Sequence, residues 1–193
     1  VSQVATVVKT KRKTSFFKQL MSLHWAMANC FLLMFVTGIV MPRLPEDLFF
    51  REPLYGLHKS VGVLLLGLLL ARILVLLRVS WSKYTRRLPK ATPAWLRVFV
   101  LHSILYLLML VAPLSGLFLS NSYESNNVPF FGLKFPDIFP VNEAVVELAR
   151  SLHFWLTYTF LAFIVLHVAN QWQVVRATWR RAWGAVKSTL LAR

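Results

Sequence analysis

The chain has 193 residues, 57% of them hydrophobic, and a formal net charge of +15. Its mean hydropathy of +0.58 and several long apolar runs exclude an ordinary soluble domain and point to a membrane bundle. A single cysteine, Cys30, excludes an intrachain disulfide, a cysteine-rich metal site and an iron–sulfur cluster, and with no groove-reading or strand-stacking motif the positive charge does not read as nucleic-acid binding.

Residues 1–19 are polar and basic, ending in KTKRKTSFFKQ; no small-residue cleavage pattern follows, so no cleavable signal peptide is expected. Span one runs from about Leu20 to Met41 and is closed by Pro42. A short loop, 42–56, leads to span two, about Leu57 to Leu77. A second loop, 78–97, leads to span three, about Val98 to Leu119, with Pro113 and Gly116 toward its end. The longest loop, 120–148, is turn-rich in its middle, and its end can begin the next helix. Span four is ARSLHFWLTYTFLAFIVLHVANQW, Ala149 to Trp172, and residues 173–193 form a basic tail. The expected organisation is therefore a basic segment 1–19, a four-span bundle 20–172 and a tail 173–193. Each span is long enough to cross the hydrocarbon core as a helix, and short connections make the expected fold all-α, an antiparallel four-helix membrane bundle.

The charges give an expected orientation. The N-terminal segment holds five basic residues, loop 78–97 six and the tail five, with no Asp or Glu among them. All seven acids (Glu46, Asp47, Glu52, Glu124, Asp137, Glu143 and Glu147) lie in the other two loops. The positive-inside rule then puts both termini on the cytoplasmic side, with some attraction of the basic segments to anionic lipid. Trp25, Trp81, Trp95 and Trp172 would flank the inner interface as an aromatic belt. In the tail, Val175, Trp179 and Trp183 oppose Arg176, Arg180 and Lys187. It reads equally as a helix lying along the inner surface or as an extramembrane helix that ends the bundle.

All five histidines belong to spans. Given alternating span directions, His58 and His153 share the outer level, while His24, His102 and His167 share the inner one. His153 and His167 are fourteen residues apart, which on a helix is a rise of about 21 Å and about 40° short of four full turns. Both imidazoles therefore lie on one face of span four. A single histidine near a helix end is often only an interfacial polar group, but ionisable residues within spans are costly and usually functional, and the joint pattern is hard to treat as incidental. Zinc would need carboxylate or thiolate partners that neither level has. A proton relay would need acids in the spans, which contain none. Paired neutral imidazoles suit b-type haem, whose iron takes two axial nitrogens, and the lack of a Cys-x-x-Cys-His motif excludes covalent attachment. Gly38, Gly62, Gly67 and Gly116 would let a macrocycle approach the backbone, although each alone reads as readily as close helix packing. Arg72, deep in span two and fourteen residues after His58, should reach the depth of His167 and meet a propionate there, or else snorkel to the inner headgroups.

The pieces LHW in span one, LHKSVGVLLLGLLLARILVLLR in span two, LHSILYLLMLVAPLSGL in span three and LHFWLTYTFLAFIVLH in span four resemble the bacterial cytochrome b561 family of four-helix dihaem membrane cytochromes. The resemblance covers roughly residues 15 to 175, and its specific parts are the His-x13-His of span four and the His-x13-Arg of span two. It implies a multi-pass protein of the bacterial inner membrane with two haems b. It implies His24 and His167 as axial ligands of the inner iron and His58 and His153 as those of the outer iron. His102, which depth alone does not separate from His24, then becomes a residue beside the inner site. The family resemblance also implies ubiquinone as a partner and, in its closest members, oxidation of superoxide on the periplasmic side. A quinone near the inner level would find His102, Arg72, Lys90 and Trp95 in reach, and Lys59, Arg43, Arg51, Lys134 or Arg150 would draw an anion to the outer site. Two alternatives stand beside this reading: a cytochrome subunit fed by a protein redox partner and serving the quinone pool, and a non-redox membrane scaffold or transporter with interfacial histidines.

Overall fold

The computed structural model describes residues 2–84 and 92–191, with side chains from residue 18 onward except for some at 79–84 and 182–191. Five helices follow one another: α1 Ser2–Val40, α2 Arg51–Tyr84, α3 Pro93–Tyr123, α4 Val146–Asn170 and α5 Trp172–Leu191. Four stretches are long and apolar enough to cross a membrane: Lys18–Arg43, Arg51–Arg78, Pro93–Tyr123 and Glu143–Asn170. In a hydrocarbon solvent every backbone N–H and C=O must be paired within the segment, so apolar runs of this length become helices. The protein is thus a four-helix membrane bundle carrying a fifth, polar helix.

The helices run past the spans drawn from hydropathy. α1 has no break at residue 19, α2 begins at Arg51 and extends to Tyr84, and α3 begins at Pro93 behind a Thr92 cap whose side chain accepts from the Trp95 N–H. Hydropathy marks where a helix leaves the hydrocarbon; helical hydrogen bonding continues into the aqueous layer until a capping residue or proline ends it. Pro42 closes span one within a single 3-10 turn, Met41–Arg43. α4 carries neither glycine nor proline along its length.

Backbones pack in series, α1 on α2, α2 on α3 and α3 on α4. One core cluster, Met27 with Val61, Leu65 and Leu69, joins α1 to α2; another, Leu105, Leu108 and Ala112 with Phe160, joins α3 to α4. Between α1 and α4 the contact is made by rings, Phe31 to Phe160 at 4.9 Å and Phe35 to Phe160 at 6.0 Å between centroids. The seam between the α1–α2 pair and α4 is therefore bridged by long side chains rather than by close backbones. Large apolar residues such as Leu32, Leu70, Leu74, Leu107 and Val165 point outward, which suits lipid as the surrounding solvent.

The loop of residues 124–142 is folded, not open. A two-stranded ribbon, β1 Pro129–Phe130 and β2 Leu133–Lys134, turns through Phe131 and Gly132, at φ 47° and 93°. A two-residue hairpin turn needs positive φ at both central positions, which glycine accepts freely and phenylalanine only under strain. Asn121 ties this loop to the end of α3: its Oδ1 accepts from the N–H groups of Ile138 (3.1 Å) and Phe139 (3.3 Å), and its Nδ2 donates to Asp137 Oδ1 (2.7 Å). Asn121 is fully buried, so truncating it removes the acceptor of two amides and the link to Asp137. Asn121→Ala is expected to destabilise the loop by about 3 kcal/mol. Amide exchange over residues 124–142 should then be roughly 100-fold faster than in the parent, with the spans unchanged.

Candidate functional site

At one level of the bundle, His58 of α2 and His153 of α4 face each other with ring centroids 6.4 Å apart. Both rings are oriented by hydroxyls. Thr37 Oγ1 lies 2.9 Å from the Leu33 carbonyl and 2.8 Å from His58 Nδ1. A hydroxyl has one proton and gives it to the carbonyl, which can only accept; the oxygen therefore accepts from the His58 Nδ1–H. Ser115 repeats the arrangement in α3, donating to the Ala112 carbonyl at 2.8 Å and accepting from His153 Nδ1–H at 2.9 Å. In both imidazoles the proton is thus placed on Nδ1, and Nε2 keeps its lone pair for a metal. Thr37 and Ser115 are both buried.

Two glycines stand behind these rings. A Cβ at Gly116 would come within 3.1 Å of His153 Cε1, and one at Gly38 within 3.4 Å of His58 Cε1. Their role at this level is to admit the imidazoles themselves. A Cβ at Gly62 would meet Met34 at 3.5 Å, and at Gly67 it would meet nothing within 4 Å. Gly116→Val should push the His153 ring out of register and lower occupancy of this site by about 10- to 100-fold, the usual range for disturbing a ligand's support. The cofactor-to-protein ratio after purification checks this; Gly67→Ala should leave it unchanged.

At the other level, His24 of α1 and His167 of α4 have centroids 6.3 Å apart, whereas His102 of α3 approaches His167 to 5.2 Å, edge to face. His167 Nδ1 is buried without a hydrogen-bond partner. His102 Nδ1–H donates to the Val98 carbonyl at 2.7 Å. Arg72 does not leave the bundle for the surface: its Nε donates to Tyr106 Oη at 2.8 Å, its Nη1 to the Leu20 carbonyl at 3.4 Å, and its guanidinium sits 5.8 Å from the Tyr106 ring centroid. Trp95, two helical turns before His102 on α3, stacks on Phe99 at 5.0 Å. Lys90 lies outside the described residues.

What these pairs can hold follows from distance. A metal about 2.0 Å from each of two opposed imidazole nitrogens, with each ring centre roughly 1.1 Å further out, separates the centroids by about 6.3 Å. The His58–His153 and His24–His167 separations leave room for a metal that each pair of imidazoles would hold, and the His102–His167 separation is too short for one. Among the described residues no group of three or more His, Cys, Asp or Glu gathers to hold an ion without a further cofactor. The donor set thus suits a metal that arrives with its own equatorial ligands.

Of the cations expected around the outer level, Arg51 pairs with Glu46 at 3.9 Å and Arg150 with Glu147 at 3.6 Å. Arg43 turns back to the Ile39 carbonyl, and Lys134 is exposed on β2. Lys59, next to His58, donates to Asn127 Oδ1 at 2.6 Å and to the Asn127 carbonyl at 2.9 Å, both uncharged acceptors. Thr37, Ser115 and Tyr106 are the residues that sequence reading missed. The only trace they leave is a polar side chain inside an apolar span; their partners lie on other helices, at separations of 21, 38 and 34 residues.

Residues 16–183 match the family described as prokaryotic cytochrome b561. The chain is also 31% identical, over 156 residues, to cytochrome b561 homolog 2 of Escherichia coli (strain K12), an alignment covering 75% of this chain and 76% of that protein.

Proposed function

Since the chain belongs to the prokaryotic cytochrome b561 family, a family of haem-binding membrane proteins of electron transport, we propose that it holds two b-type haems and passes electrons between superoxide outside and ubiquinone. The observation that carries this reading is the repeated separation of about 6.3 Å between paired histidine rings at two levels of one bundle. When bound, the two haems supply reversible one-electron iron chemistry.

The chain's own residues do the rest. His58 and His153 would hold the outer group, and His24 and His167 the inner one. Thr37 and Ser115 orient the outer imidazoles and set their tautomer by accepting from Nδ1–H. Lys59, hydrogen-bonded to Asn127 beside His58, would draw a small anion such as superoxide. At the inner level His102 and Trp95, with Arg72 and the Tyr106 hydroxyl it bonds, would supply the polar and aromatic lining of a quinone site; Lys90 belongs to the same proposed site. The charge asymmetry of the loops supports cytoplasmic termini and a place in the bacterial inner membrane.

Stopped-flow mixing of the purified, oxidised protein with superoxide tests the reading. Reduced haem b bands should appear within milliseconds and decay on addition of a soluble ubiquinone analogue. Failure of superoxide to reduce the protein, with dithionite still doing so, would leave an electron carrier fed by a protein partner.

A further inference from the structure

α5 is the most amphipathic element in the chain. At 100° per residue, Trp172, Val175, Trp179 and Trp183 fall on one side of the helix, and Arg176, Arg180 and Lys187 form a stripe along one flank of that side. Trp179 and Trp183 are 69% and 64% exposed. α5 packs against α4 at their junction, and among the described residues makes at most a glancing contact with any other element. The junction is Gln171, at φ −108° and ψ 18°, outside helical values, with its N–H still bonded back to His167 and Val168. The break falls where span four ends, so α5 starts at the membrane surface.

The two faces of α5 restrict where it can lie. Continued straight into water, it would leave three tryptophans without apolar cover. Continued in the hydrocarbon, it would bury four cations, since α5 holds four basic residues and no acid. The interfacial plane satisfies both faces, with tryptophans at the level of the glycerol backbone and cations among the headgroups. We propose that α5 is a binding surface for anionic phospholipid headgroups of the bilayer that α1–α4 span, with Arg176, Arg180 and Lys187 reading the phosphates and Trp179 and Trp183 anchoring beneath them. This rests on the membrane bundle and not on the haem assignment. Each cation near a charged leaflet contributes about a five-fold preference, and the apolar face alone gives no selectivity among headgroups.

The test is a pair of spin labels in the full, haem-loaded chain with Cys30 replaced by alanine. One label replaces Trp183 on the apolar face; the other replaces Gly184, where a side chain meets nothing within 4 Å. In nanodiscs with about a third phosphatidylglycerol, the label at 183 should collide with oxygen and be shielded from a water-soluble nickel chelate, and the label at 184 should behave oppositely. In pure phosphatidylcholine the shielding at 183 should fall several-fold. The triple change Arg176→Gln, Arg180→Gln and Lys187→Gln should abolish the difference between the two lipids. Equal shielding in both lipids, exposure of 183 to water in both, or a label immobilised and shut off from both relaxants (a protein contact) would each overturn the proposal. Retention of the haem spectrum shows that the bundle of each variant is folded.

Discussion

His153→Ala is expected to purify with about one haem where the proposed parent stoichiometry is about two. α4 gives one imidazole to each level, so this change empties the outer pair while His167 keeps its place one helix-span away. The loss should be near complete. Ser115 fixes the proton position of His153, and Gly116 backs its ring, so the site is built around this imidazole. His58→Ala should give the same stoichiometry, because removing either trans ligand leaves the other unable to hold the group. Haem per chain from a pyridine haemochrome assay is the direct measure, and added imidazole should restore part of the lost absorbance. About two haems per chain after either change would refute the His58–His153 pairing.

At the inner level, the expected result is a contrast between two histidines. His24→Ala should lose the inner haem and keep the outer one, whereas His102→Ala should keep both. The argument is metric: the His24 and His167 centroids stand 6.3 Å apart and leave room for a metal, while those of His102 and His167 stand 5.2 Å apart and do not. If His102 instead serves the quinone, His102→Ala should slow reoxidation by the ubiquinone analogue by about 10-fold or more, the scale of a lost proton-transfer group, at unchanged haem content. The opposite stoichiometry, two haems without His24 and one without His102, would exchange their roles.

The four spans and the levels of the five histidines are legible in the sequence because both follow from counting. Bilayer thickness sets span length, and a fourteen-residue step returns a helix almost to its starting face. Depth says nothing about which helices adjoin, so by itself it leaves His24 and His102 equivalent; the family resemblance favours His24, and both rings lie against His167. The hydroxyls of Thr37 and Ser115 were invisible for the same reason: each meets its histidine across the bundle. The ribbon around Phe131 escaped because its sequence, VPFFGLK, lacks the Asn-Gly or Asp-Gly pair that announces such a turn; here phenylalanine takes the left-handed position and Gly132 relieves only the next one. The glycines read in the sequence as close helix packing or as room for a macrocycle; that Gly38 and Gly116 also lie against imidazoles needs coordinates.

Absence of glycine and proline from α4 has a mechanical consequence. The other three spans each contain at least one such residue, where a helix can flex or kink. α4 is the stiff strut of the four, and it carries a histidine at both levels. Any tilt or shift of α4 displaces both stations as one body and leaves the interval between them fixed. For groups held at the two levels, the step between His153 and His167 is set by the helix itself, like the graduation on a ruler.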